Sequence, residues 1–155
     1  MGVGYPLDIV VCTAMGVDMY DCVYPTRTAR FGTAFTPDGL IKLKKPEFAK
    51  DFGPIYKGCT CKLCAPIDDQ GTPAMSRSSL CFQFSRSDSV GSSITHHNIV
   101  YMLNLGREMR QAILANEYPK FVRTFLERQF TNHGLPVPKW ALDALAAAGI
   151  AIDLR

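Results

Sequence analysis

Residues 20–30 read Tyr-Asp-Cys-Val-Tyr-Pro-Thr-Arg-Thr-Ala-Arg. A short apolar run (19–24) is interrupted by a single carboxylate, Asp21, and is then stopped by a proline. The run predicts a strand, and because side chains alternate between the two faces of a strand, Asp21 is expected to point inward. A buried carboxylate loses its hydration, so it needs either an ion-pair or hydrogen-bond partner or a role in a reaction. Arg27 and Arg30, expected in the following loop, carry planar guanidinium groups suited to phosphate. The stretch therefore predicts an acid beside a nucleotide or nucleic-acid backbone.

Asp21 has a second interpretation at this point. A carboxylate in a strand followed by arginines is more often an ion-paired structural group than a catalytic one. The neighbouring Cys22 has no activating histidine close in sequence and is expected in the core. Taken alone, these residues favour a structural role for the acid.

Composition indicates a single soluble domain. The chain has 155 residues, of which 47% are apolar and 20% charged, so it can bury a modest core. A formal net charge of +3 is far below that of a dedicated nucleic-acid coat protein. No stretch approaches the roughly 20 apolar residues of a membrane helix, and the N-terminus lacks a charged leader before an apolar core. We therefore expect a cytoplasmic protein.

Three of the six cysteines lie in the segment Cys59-Thr60-Cys61-Lys62-Leu63-Cys64. Reduced thiols are expected in a chain without a secretory leader, and three thiolates in one loop supply most of a tetrahedral zinc site. His96 or His97, just before a predicted long helix, could supply the fourth ligand, although a histidine there is often only a cap. Buried free thiols are the alternative to metal.

Sequence patterns place helices at both ends of the chain and a hairpin near its middle. Pro6 opens a helix that ends at Gly16, and Pro37-Asp38-Gly39 predicts a hairpin turn. Residues 65–93, rich in serine, lack helical periodicity and predict a loop or disordered insert. Helical patterns follow Asn98, open again at Pro119 and end with a short helix from Trp140 to Ala148, closed by Gly149. Trp140 is expected to be the packing anchor of that last helix.

Four motifs, in order, are together specific to one family. The Met1-Gly2-Val3-Gly4 start, the run from Asp21 to Gly32, the cysteine triplet and His97-Asn98-Ile99 resemble the tRNA-guanine transglycosylases. The resemblance covers residues 1–64 and about 94–150. It implies an α/β fold, a (β/α)8 TIM barrel with an inserted zinc-binding subdomain, and exchange of guanine for queuine at the wobble position of certain tRNA anticodons. A whole barrel needs roughly 250 residues, so the chain is expected to be the C-terminal portion.

The resemblance also assigns roles to individual residues. Asp21 would be the nucleophile that forms a covalent ribosyl ester with tRNA. Arg27 and Arg30 would contact the anticodon backbone, and Met1 with Gly2 would pack against the exchanged base. The implied ligands of a structural Zn2+ ion are Cys59, Cys61, Cys64 and His97.

The implied organisation has three segments. Residues 1–32 would hold the last barrel strands and the nucleophile loop, 33–97 the zinc-binding subdomain with its irregular insert at 65–93, and 98–155 the C-terminal helices. Expected partners are the tRNA anticodon loop, queuine or guanine, and a non-catalytic paralogous subunit in a heterodimer. The expected location is the cytoplasm, with peripheral attachment to the mitochondrial outer membrane. Two alternatives remain open: a catalytically silent zinc-bearing module for tRNA binding or dimerisation, and a truncated product that folds poorly.

Overall fold

The computed structural model describes residues 1–84, 86 and 89–152. Helices are the main regular structure, and within these ranges the chain contains one two-stranded sheet. Its elements are α1 (Pro6–Ala14), α2 (Tyr24–Ala29), β1 (Thr33–Thr36), β2 (Gly39–Lys42), α3 (Arg77–Phe84), α4 (Val90–Leu114), α5 (Tyr118–Gln129) and α6 (Lys139–Ala147). Short 3₁₀ turns lie at Pro46–Phe48 and Thr131–His133. No helix among the described residues is long and apolar enough to cross a membrane.

The contacts divide the chain into two compact units. The first, here called the terminal unit, comprises Met1–Val23, Pro37–Gly39 and the residues from Asn104 onward. The second, here called the cysteine unit, comprises Tyr24–Thr36 and Leu40–Leu103. The three segments expected from the sequence remain a prediction.

Helices α1, α5 and α6 supply the core of the terminal unit. Val10 and Leu145 are fully buried, and the Tyr118 hydroxyl donates a hydrogen bond to the carbonyl oxygen of Val10 at 2.8 Å. Pro6 occupies the first turn of α1, where a missing N–H costs nothing. The helices that the sequence predicts to begin at Pro6 and Pro119, and the final one before Gly149, are confirmed within one or two residues.

The cysteine unit packs its hairpin, α3 and the first half of α4 around an apolar cluster. The fully or nearly fully buried members are Ala29, Ala34, Leu43, Ile55, Cys61, Leu80 and Ile94. The predicted hairpin is confirmed, with Gly39 at a φ of 119° that glycine alone adopts readily. All three cysteines of the triplet belong to this cluster, so the metal-ligand candidates lie inside the core.

The predicted strand at 19–24 is wrong. Residues 17–22 form no strand in the described chain, and α2 begins at Tyr24, with Pro25 in its first turn. An apolar run becomes a strand only when a neighbouring segment accepts its ladder of hydrogen bonds, and in the described chain residues 17–22 belong to no such ladder. A backbone hydrogen bond from the N–H of Gly2 to the carbonyl oxygen of Asp21, at 2.7 Å, joins this segment to the start of the chain. Arg27 consequently lies in a helix and not in a loop.

The prediction that 65–93 is irregular is also wrong in its second half. Helix α3 spans Arg77–Phe84, and α4 begins at Val90, well before Asn98. The Ser76 hydroxyl accepts a hydrogen bond from the N–H of Ser79 at 3.1 Å, the arrangement of a helix N-cap. Serine made this segment look non-helical in the sequence, but Ser76 is the residue that caps the start of α3. Leu80, which is fully buried, anchors α3 in the core.

Trp140 does not anchor the last helix. Its side chain is 49% exposed, whereas Ala141 and Leu145 are fully buried. These two residues, four apart on α6, form the face that packs, as helical geometry requires. The largest apolar side chain of a short helix was a poor indicator of its buried face.

Candidate metal centre

A tight loop presents the three thiols of the cysteine triplet to the interior. Cys61 accepts backbone hydrogen bonds at its carbonyl from the N–H groups of Cys64 at 3.1 Å and Ala65 at 2.9 Å, which closes a turn. Gly58, immediately before the triplet, has a φ of 88° and lets the chain reverse there. Cys59, Cys61 and Cys64 are all buried. The turn therefore gathers three sulfur atoms on one side of the loop.

His97 completes a cluster of four ligand atoms that all lie within 4.8 Å of one another. Its Nδ1 atom is 3.5 Å from the sulfur of Cys59, 3.3 Å from that of Cys61 and 3.8 Å from that of Cys64. A tetrahedral zinc ion with its usual Zn–S and Zn–N bond lengths sets sulfur and nitrogen about 3.6 Å apart. The donor set and its spacing thus fit zinc, and a Cys3His site of this kind is typically structural.

A backbone contact fixes the orientation of the His97 ring. Its Nε2 atom lies 2.9 Å from the carbonyl oxygen of Phe35 in β1, a distance at which Nε2–H donates. The proton therefore sits on Nε2, and the Nδ1 lone pair faces the sulfurs, as expected for a metal-ligating histidine with its second partner in place. His96 is exposed, so the choice that the sequence left open between the two histidines is settled by their positions on α4.

The electrostatics of the cluster concentrate negative charge on sulfur. Hydrogen bonds from the thiols of Cys61 and Cys64 lower the pKa of Cys59. Hydrogen bonding to Cys59 and Cys61 raises the pKa of Cys64. Burial lowers the pKa of His97, but its contacts with Cys59 and Cys61 outweigh burial and raise it to about 9. These protons are the ones that a divalent cation would displace on binding.

Asn98 is the residue that sequence reasoning missed. It is fully buried, its Nδ2 group donates to the carbonyl oxygens of Pro25 at 2.9 Å and Thr33 at 3.0 Å, and its Oδ1 atom accepts from the N–H of Phe35 at 2.9 Å. The side chain thus joins α4 to β1 and to the first turn of α2. The only signal in the sequence is a polar residue between His97 and an apolar helical run.

Replacing Asn98 with leucine should lower the free energy of unfolding by at least about 2 kcal/mol, because three backbone groups, two of them in buried hydrogen bonds, lose their partner at nearly constant volume. Urea denaturation followed by circular dichroism measures the change. The matched control, Gln111→Leu on the exposed face of the same helix, should stay within about 0.5 kcal/mol. Equal stability of the two variants would contradict the role given to Asn98.

Asp21 lies in the terminal unit, next to the chain start. The side chain is exposed and, among the described residues, has no ion pair within 4 Å. The hydrogen bond from the N–H of Gly2 to its carbonyl oxygen brings Met1 and Gly2 beside it, and Met1 is 94% exposed. Met1, Gly2 and Asp21, all singled out from the sequence, therefore lie together. The structural ion pair that the sequence suggested for Asp21 is not formed in the described chain.

Arg27 and Arg30 lie in the cysteine unit, and both are exposed. Gly91 in α4 allows the chain at Arg30 to pack closely, because a Cβ atom at this glycine would lie 3.2 Å from the Cα atom of Arg30. Asn98 holds the other end of α2 through Pro25. The backbone that carries the two arginines is thus fixed to the helix that carries His97.

Comparison with known proteins gives one consistent result. Residues 1–131 match the family model described as queuine tRNA-ribosyltransferase. The chain is 43% identical to the queuine tRNA-ribosyltransferase catalytic subunit of Schizosaccharomyces pombe over 152 residues, which cover 97% of this chain and 37% of that relative. It is 39% identical to the queuine tRNA-ribosyltransferase of Thermus thermophilus over 150 residues, 96% of this chain and 36% of the relative. Identity to the catalytic subunit of Caenorhabditis elegans is 38% over 167 residues, 99% and 40% of the two chains. The chain spans about two-fifths of the length of these curated relatives.

Proposed function

Because the chain belongs to the queuine tRNA-ribosyltransferase family, we propose that it acts as the C-terminal portion of a tRNA-guanine transglycosylase. The reaction replaces guanine with queuine at the wobble position of tRNA. The observation that carries the proposal is the presence, within one chain of this family, of an accessible carboxylate at Asp21 and a buried Cys3His cluster.

Asp21 is the proposed nucleophile. One carboxylate oxygen bonds to the anomeric carbon of the ribose while the glycosidic bond to guanine breaks, and guanine leaves with the bonding electrons and takes up a proton. The glycosidic nitrogen of the incoming base then attacks the same carbon from the vacated side, loses its proton and releases the carboxylate. No oxidant or reductant is needed. Met1 and Gly2, beside Asp21, would pack against the exchanged base.

The segments around α1 support the barrel assignment. The hydrogen bond from the N–H of Gly2 to the carbonyl oxygen of Asp21 joins the segment before α1 to the segment after it. Two parallel strands connected by a crossover helix would be joined at the same place, although neither segment is a strand in the described chain. Barrel enzymes place their chemistry where strands end and loops begin, which suits a carboxylate at this position. We infer that residues 1–23 are the last units of a (β/α)8 barrel.

Arg27 and Arg30 are proposed to contact the phosphates of the anticodon loop. Replacing both by glutamine should lower the slope of log affinity against log salt by roughly 1.5, since each cation releases somewhat less than one counterion. Binding of tRNA is measured by filter retention at several salt concentrations. Arg123→Gln, an exposed arginine on α5, is the control and should leave the slope unchanged. An unchanged slope in the double variant would exclude these arginines from the interface.

The Cys3His cluster is proposed to hold a structural zinc ion. Cys59, Cys61, Cys64 and His97 would bind it, and the ion would supply the cross-link between the triplet loop, α4 and, through the Phe35 carbonyl, β1. Association with a non-catalytic paralogous subunit and a cytoplasmic location follow from the family and are part of the proposal.

A second function is favoured by the contents of the cysteine unit. The cysteine unit has its own core and metal-ligand set, whereas Asp21 is exposed and forms no ion pair among the described residues. The chain could then serve as a zinc-bearing module for tRNA binding or dimerisation. Incubating the chain with tRNA and radiolabelled guanine separates the two functions. Incorporation supports the enzyme, and tRNA binding without incorporation supports the module.

A further inference from the structure

An open cavity of about 570 Å³ lies within the cysteine unit, between the segment after β2 and helix α3. Its lining includes Lys44, Phe52, Cys81 and Phe82. This volume falls in the range of sites that hold small molecules or single groups of larger ones. None of the four residues belongs to the metal cluster or to the proposed catalytic site.

The two phenylalanines that line this cavity are unusually accessible. Phe52 is 74% exposed and Phe82 is 57% exposed. An exposed phenylalanine forgoes the stabilisation that burial of its ring would give. Single exposed apolar residues are ordinary, but two exposed aromatic rings that line one cavity offer a planar ligand a surface on which to stack.

The charge around the cavity is positive. The exposed lysines of the adjoining segment that lie outside its ion pairs are Lys42, Lys44, Lys50 and Lys57. Lys44 lines the cavity itself, with its ammonium group 4.9 Å from the centroid of the Phe84 ring. The two carboxylates of the segment are already paired, Glu47 with Lys45 at 3.5 Å and Asp51 with Arg77 at 2.6 Å. The guanidinium carbon of Arg86 lies over the Phe82 ring, 4.4 Å from its centroid, and covers one face of that ring, so a base on Phe82 would stack on the opposite face. An occupant with negative charge is therefore favoured over a purely apolar one.

We propose that this cavity, here called the aromatic groove, binds an unpaired nucleotide of tRNA by stacking its base on Phe52 or Phe82, with Lys44 near the phosphate. Exposed aromatic rings flanked by cations are the general solution for single-stranded nucleic acid, because every base has a π-face and every nucleotide a charge. The inference rests on the proposed function, which supplies tRNA as the ligand. It adds a binding subsite separate from Arg27 and Arg30.

The test separates stacking from simple apolar contact. Phe82→Leu keeps apolar volume but removes the π-face, whereas Phe82→Tyr keeps the ring. Loss of one stacked base corresponds to roughly 5- to 150-fold weaker binding. We expect Phe52→Leu, Phe82→Leu or both to weaken tRNA binding by such a factor and Phe82→Tyr to bind as the unaltered chain does. Trp140→Leu, an exposed aromatic on α6 outside the groove, is the control and should have no effect.

Tryptophan fluorescence measures binding in the groove directly, because the sequence contains a single tryptophan, Trp140. In a Trp140→Phe background, Phe52→Trp places the only indole in the groove, and a single-stranded oligoadenylate should quench its fluorescence. A duplex RNA of the same length should quench it far less, since its bases are already stacked. Alkylation of Cys81, which lines the same cavity, should slow when the oligonucleotide is bound.

The outcomes distinguish this inference from the function on which it rests. Unchanged tRNA affinity in both leucine variants, with normal zinc content, would overturn the groove and leave the proposed function standing. Quenching by duplex and single strand alike would overturn stacking. A zinc-loaded chain that binds no tRNA at all would overturn both the groove and the function.

Discussion

The variant Asp21→Asn is expected to lose guanine exchange by a factor of at least about 10⁴, the scale on which removal of a covalent nucleophile acts. Asparagine has nearly the same shape, but its amide oxygen is neutral and too weak a nucleophile to displace a base from an anomeric carbon. Exchange is measured with radiolabelled guanine and tRNA. The covalent intermediate is measured separately, as a protein–tRNA adduct that survives denaturing electrophoresis when no incoming base is present.

Folding should not be affected by this change. Asp21 is exposed and has no ion pair in the described chain, so we expect the free energy of unfolding to move by less than about 0.5 kcal/mol. Asp18→Asn, another exposed carboxylate of the same segment, is the matched control and should retain both exchange and adduct. Asp21→Ala guards against slow reversion of asparagine to aspartate by deamidation. Exchange retained by the alanine variant would remove Asp21 from the catalytic role.

The sequence predicts elements whose signals are local. Pro6 at the start of α1, the Pro37-Asp38-Gly39 turn and Gly149 after α6 act through their own backbone preferences, and each was located correctly. The cysteine triplet is equally local, because three thiols within six residues must lie close together. In each case the residues that determine the local structure lie within a few positions of one another along the chain.

What the sequence could not predict depends on distant partners. Asn98 bonds to groups that lie 63, 65 and 73 positions away, and no pattern in its own helix reveals them. Residue spacing alone left the choice between His96 and His97 open, because it depends on which face of α4 meets the triplet loop; the family resemblance was what named His97. Asp21 was expected to face inward because alternation was assumed, but a strand requires a neighbouring chain to pair with, which an apolar run alone does not supply.

Removal of zinc should unfold the cysteine unit selectively. Structural zinc contributes roughly 10–16 kcal/mol in small zinc-dependent folds, and here its ligands are part of the apolar core. Replacing Cys61 with serine is therefore expected to abolish stoichiometric zinc binding. It should also lower the free energy of unfolding of the cysteine unit by at least about 3 kcal/mol, which corresponds to a fall of roughly 12–24 °C in the melting temperature of this unit. Zinc content is measured by atomic emission and stability by thermal denaturation, with a strong chelator applied to the unaltered chain as a parallel test.

The chain provides a matched control for this experiment. Cys81 is a half-buried thiol of the same unit that lies outside the ligand cluster, so Cys81→Ser should keep one zinc ion per chain and a nearly unchanged melting temperature. Because the thiols of the cluster must deprotonate to bind, zinc uptake by the unaltered chain should also release protons, and uptake should fall as the pH is lowered. A Cys61→Ser chain that holds zinc and melts with the unaltered chain would show that the cluster is only a set of buried thiols. Loss of zinc in this variant but not in Cys81→Ser would instead tie the stability of the unit to the four proposed ligands, since any other metal site would respond to neither change.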